Sequence, residues 1–168
     1  MSINKTIVVI TISSLLSITV NSQDTNRFDY KLLKSGRAYS VTPVFDQFKG
    51  EGKKGYASWP NDYCFNNLFN NIIKEVLSKE KLDSLHPRSF AVITVNSKGE
   101  IPYCHFVIYD KEKNAISERD LYNLYIRFKQ IKLDMSKVKI LGYYAEESYD
   151  YADIMLPLIL KNCKEDSK

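Results

Sequence analysis

The sequence predicts an α+β fold in two layers, a small antiparallel sheet with helices packed on one face. Three observations predict it. Residues 61–79 carry apolar side chains at helical spacing. Residues 89–109 hold two apolar, β-branched and aromatic runs on either side of Asn96-Ser97-Lys98-Gly99. A second amphipathic stretch opens at Ser117, and another strand-like run covers 138–144. A hairpin flanked by helices at this spacing buries one sheet face beneath them. The expected order is helix, strand, strand, helix, strand, then a C-terminal helix.

Before these elements the 168-residue chain opens on an apolar segment. Residues 1–5 carry a single lysine, and 6–20 (TIVVITISSLLSITV) carry no charge. As a helix that stretch rises about 22 Å, short of a hydrocarbon core near 30 Å. Val20 and Ser22 suit a signal-peptidase site. A cleaved signal peptide over 1–22 is therefore expected, with an uncleaved anchor or a buried strand as the alternatives. The exported chain would be periplasmic or extracellular, of a bacterium, with no membrane span after cleavage.

Residues 23–60 read as an N-terminal extension without a sustained period. Within it Gly50, Gly52 and Gly55 spell G-x-G-x-x-G. A dinucleotide fingerprint needs a helix to open at those glycines, so that phosphates meet its free N–H groups. Trp59-Pro60 follows at once and argues against such a helix. A basic surface loop is expected instead.

The α+β domain is placed at 61–163. Asn61 or Asp62 caps the first helix, whose stripe is Phe65, Leu68, Phe69, Ile72, Ile73, Val76 and Leu77. The helix should end near Lys79, with Glu75 and Lys79 as an i,i+4 pair. Residues 90–95 are apolar on both faces, as an inner strand should be. The turn at 96–99 calls for Gly99 at positive φ. The return strand runs over 100–109, with Pro102 towards an end or an edge. Ser117 and Asp120 form a capping box for the second helix. Its inner stripe is Leu121, Leu124, Tyr125, Phe128 and Ile131. Residues 138–144 make a third strand. The run 148–163 reads as a helix bent at Pro157, and 164–168 as a polar tail.

The block 90–133, with its flanks over 64–144, resembles the C-terminal domain of TonB-type energy transducers. The likeness rests on Asn96-Ser97-Lys98-Gly99-Glu100-Ile101 after an apolar strand, and on Tyr125-Ile126-Arg127-Phe128-Lys129 closing a capped helix. It implies that fold and a manner of binding, in which an exposed sheet edge pairs with an extended segment of an envelope protein. Five prolines scattered along the chain do not make that family's Pro-rich spacer, so energy coupling is not implied.

Composition narrows the function classes. A net charge of +4 spread over the chain gives no nucleic-acid footprint. Three cysteines permit one bridge at most. Cys64 with Cys163 is the candidate pair, against three buried thiols as the plain alternative, and Cys104 sits in a strand pattern. Cys104 and His105 project to opposite faces and cannot act as a thiol–imidazole pair. His86 stands beside Pro87, and no zinc spacing occurs, so neither a cofactor nor a metal is expected.

The richest stretch holds Tyr143, Tyr144, Tyr149 and Tyr151 among Glu146, Glu147 and Asp150. The first reading is a non-enzymatic interaction domain for an envelope protein segment. Its contacts would be Val138, Ile140, Tyr143, Tyr144, Tyr149 and Tyr151 along the edge strand. The second is a small exported glycan-binding protein or hydrolase using carboxylates of 146–153, including Asp153. A strand end running into a helix N-terminus explains the same residues without a ligand.

Overall fold

The computed structural model describes residues 27–50, 52–60, 66–109, 115–142 and 149–159. Its architecture is α+β. The hairpin is formed by β4 (Phe90–Asn96) and β5 (Tyr103–Tyr109), in register from Phe90 opposite Val107 to Thr94 opposite Tyr103. Asn96 organises the turn. Its carbonyl accepts the Gly99 N–H at 2.9 Å, and its side-chain oxygen accepts the N–H groups of Lys98 and Glu100 at 3.0 Å each. Gly99 has φ +78°, and the Leu133 carbonyl occupies the place a Cβ would need. Glycine is required there twice over.

The expected C-terminal helix is instead a strand. β7 (Tyr151–Pro157) runs antiparallel to β4, from Asn96 opposite Tyr151 to Phe90 opposite Pro157. Ala152, Ile154 and Leu156 are buried, while Met155 between them is exposed. That is a period of two, and it buries one side of the strand only. Pro157 closes the strand, where a missing N–H is tolerated.

Residues before the hairpin supply three more strands: β1 (Phe28–Leu32), β2 (Ala38–Pro43) and β3 (Lys54–Ser58). With β6 (Lys139–Leu141) they complete a seven-stranded sheet in the order β1-β2-β5-β4-β7-β3-β6. Every neighbour is antiparallel except β3 against β7. The sheet is thus mixed and larger than the small antiparallel one expected. Sequence periodicity is faint in these strands because β3 is short and polar, and pairing on both sides holds it.

Three helices are described: α1 (Asn66–Val76), α2 (Lys79–Ser84) and α3 (Glu118–Phe128). Phe69 of α1 meets Phe128 of α3 edge-on at 5.2 Å. Ser117 and Asp120 form the reciprocal capping box of α3. The first helix stops before Lys79 because Ser78 caps a new helix there. Glu75 consequently pairs with Arg127 of α3 at 2.5 Å, and Lys79 with Asp83. Leu68 lies 43% exposed, off the stripe to which helical spacing assigned it. Phe69, Ile73, Leu121, Leu124 and Phe128 share one core with Ala91, Ile93, Cys104, Phe106, Ile108 and Ile154. The alternate residues of β4, β5 and β7 project from the opposite face of the sheet.

Candidate functional site

The residues singled out along 138–151 separate in space. Val138 is fully buried, and Ile140 is half-buried opposite Ala57. Tyr149 packs its ring where side chains on Gly55 and Gly142 would stand. Tyr143, Tyr144, Glu146 and Glu147 lie outside the described residues, as do Cys64 and Cys163 of the candidate bridge. Cys104 is a buried free thiol, and burial pushes its pKa up. Tyr151 belongs to a different constellation, on the outer face of the sheet.

That constellation follows from register. Thr94 on β4 lies opposite Tyr103 of β5 on one side and Asp153 of β7 on the other. Lys54 of β3 lies opposite Tyr151 of β7. His105 shares the face of Tyr103, two residues on. The β4–β5 hairpin and two strands distant from it in sequence, β3 and β7, thus put Tyr103, His105, Thr94, Tyr151, Asp153 and Lys54 side by side.

Residues 44–50 and 52–53, between β2 and β3, form a strap across this end of the sheet. At its start Asp46 accepts hydrogen bonds from the Tyr125 hydroxyl and, at 2.5 Å, from Lys129 Nζ, both on or beside α3. In its middle Phe48 stacks on Tyr103 at 5.7 Å and meets Tyr151 edge-on at 5.8 Å. The Tyr151 hydroxyl donates to the Gly50 carbonyl at 3.5 Å. At the far end the Lys53 N–H donates to the Asp150 carboxylate at 2.7 Å, and the Asp150 N–H returns to the Lys53 carbonyl at 2.9 Å. Gly50 and Gly52 lie outside the strands, as a loop reading expects, but the end of the Gly-rich stretch is not loop: Lys54 and Gly55 open β3, where Gly55 is buried and pairs with Ala152. Between strap and sheet lies a cavity of about 240 Å³, rimmed by Phe48, Lys49 and Gly50.

The polar groups of the cavity are mutually fixed. Asp153 accepts from the Thr94 hydroxyl at 2.8 Å through one oxygen and from Lys54 Nζ at 2.5 Å through the other. Thr94 is buried, so this bond satisfies a hydroxyl that would otherwise be costly. Burial lowers the His105 pKa; Lys54 adds to that, and Asp153 opposes it without reversing it. His105 is therefore a neutral imidazole at physiological pH, one nitrogen a donor and the other an acceptor. Burial also raises the Tyr103 pKa, with Asp46 and Asp153 adding to it, so its phenol stays protonated.

Such a set can grip a neutral polar molecule between aromatic walls. Acid/base hydrolysis has less to work with, because Asp153 is the one carboxylate among the described residues lining the cavity. Of this site, Tyr151, Asp153 and His105 stood out in the sequence, each for a separate reason. Phe48, Lys54, Thr94 and Tyr103 did not. The alternation of Tyr103 and His105 against buried Cys104, Phe106 and Ile108 is the local signal that could have found part of it.

No family model matches the chain, and no curated protein matches it. Among solved structures, it is similar to a DUF5043 family protein from Bacteroides uniformis ATCC 8492. The TM-score is 0.52 at 11% identity, over 77% of this chain and 79% of that one. At that identity the likeness shows a common fold and nothing further.

Proposed function

We propose that this chain is an exported, non-enzymatic binding domain that holds a hydroxyl-rich ligand, a segment of glycan, between the strap and the outer face of a two-layer fold. One observation carries the reading. The rings of Phe48, Tyr103 and Tyr151 line one cavity with a neutral His105 and an Asp153 carboxylate already held by Thr94 and Lys54. Sugars offer C–H faces to aromatic rings and hydroxyls to preset donors and acceptors. Export rests on the apolar segment over 1–22. A glycan array probed with the exported chain, beside His105→Ala and Asp153→Ala, tests the reading. Retention of a defined glycan class by the parent and its loss in both folded variants is expected. Equal retention by all three would refute it.

A second reading is favoured by the place of β6 in the sheet. It stands last in the strand order, pairs among the described residues with β3 alone, and exposes Lys139 and Leu141. An extended segment of an envelope protein can add there as a further strand, in the manner the TonB resemblance implies. A proline scan through Lys139, Ile140 and Leu141 removes the N–H groups of β6 one at a time, those turned outward alternating with those turned to β3. A partner captured equally well by every folded variant would exclude edge pairing.

A further inference from the structure

We infer that the glycan of this site is carried on an aliphatic chain, the sugar held under the strap and the chain laid along the other half of the same sheet face. This rests on the glycan reading of the polar cavity. Thr94, Val92 and Phe90 of β4 all project from the outer face. Thr94 lines the polar cavity, and Phe90 lines a second one of about 480 Å³. The two positions are about 13 Å apart along the strand.

The second cavity is apolar. Phe90, Val107 and Pro157 lie side by side in register at its floor, with Leu33 from the β1–β2 turn among its walls. Tyr109, another wall, is steadied by His86, whose ring stacks on it at 4.1 Å. Arg88 is the one charged residue among those lining it. Val92 and Met155, opposite each other in register, carry apolar surface from this groove towards His105 and the polar cavity.

Met155 is 69% exposed on a strand with neighbours on both sides. Together with half-buried Phe90, Val92 and Val107 it leaves apolar side chains open along this face. The polar end is bounded on one side by the strap, and its volume suits one small head group. A single occupant of both ends needs a compact polar head joined directly to a flexible apolar chain. A glycolipid has that chemistry.

The test is calorimetric titration of the exported chain with methyl, hexyl, octyl and decyl glucosides, galactosides and N-acetylglucosaminides, all below micelle formation. Affinity for the preferred sugar should rise about two- to fourfold per methylene as the chain enters the groove. Met155→Asp, checked for folding by its thermal melt, should flatten that rise. A sugar bound equally at every chain length would overturn the inference and leave the glycan reading intact. Alkyl sulfates binding as tightly as the alkyl glycosides would show an apolar groove indifferent to the head group, overturning both. So would an absence of binding across the whole series.

Discussion

Asp120→Asn tests whether one carboxylate ties α2 to the start of α3. Asp120 Oδ2 accepts from Lys81 Nζ at 2.6 Å, from the Ser117 hydroxyl at 2.7 Å and from the Ser117 N–H at 3.2 Å. Its side chain is 12% exposed, that of Lys81 38%. Burial alone would raise the Asp120 pKa; the Lys81 ammonium and the two Ser117 donors outweigh it and hold the carboxyl below its usual range. Asparagine keeps the shape and can set its amide oxygen where Oδ2 stands, so the acceptor contacts persist while the charge is lost. The ion pair and the charge on the capping bonds contribute about 1 kcal/mol after screening. A loss near 1 kcal/mol is expected at neutral pH, read as a drop of about 0.5 M in the urea midpoint. Because the folded pKa is depressed, this stabilisation is full above the unfolded carboxylate pKa and disappears as pH falls through the folded one. Parent and variant should therefore converge in acid. A gap that stays constant from neutral to acid pH would refute the assignment, since a packing defect does not titrate.

Four further outcomes follow from the same contacts. Gly99→Ala should cost about 1–3 kcal/mol in thermal or urea unfolding, because φ is positive there and the Leu133 carbonyl blocks a Cβ. His105 should titrate below the ordinary histidine range by proton NMR; Asp153→Asn should push it lower and Lys54→Met raise it, since the two charges act in opposite directions. Cys104 should resist alkylation in the folded chain and react once it is denatured, measured by peptide mass spectrometry; labelling at equal rates in both states would contradict its burial. Phe48→Ala should lower stability by about 1–3 kcal/mol through its two ring contacts, and should weaken glycan retention on the array by more than that loss of stability explains.

The parts legible in the sequence are those that local chemistry decides. The 96–99 turn needs a positive-φ glycine, and the Ser117–Asp120 box sets a helix start, whatever surrounds them. β7 was hidden because its inward residues are small and branched while its outward ones include Met155 and Tyr151, which blur the alternation. β3 was hidden for the opposite reason: Lys54 and Gly55 lack strand propensity beside a single Tyr56, and pairing with β7 and β6 on either side makes them a strand. Tertiary pairing overrides weak local preference in both cases.

The site was less legible than the fold because it depends on register between strands far apart in the chain. Local alternation can assign Tyr103 and His105 to one face, and the tight turn then fixes β4 against β5. It cannot say that Asp153 will lie beside Thr94. The core decides that. Ala152, Ile154 and Leu156 are buried opposite Val95, Ile93 and Ala91. A one-residue slip of β7 would turn Ile154 outward and drive the Asp153 carboxylate into the core, where neither Thr94 nor Lys54 could reach it. Apolar burial on one face therefore positions the polar groups on the other. The same argument extends to the groove, since the register that seats Asp153 on Thr94 also seats Met155 on Val92. Polar cavity and apolar floor are set by one ladder, and neither can shift without the other.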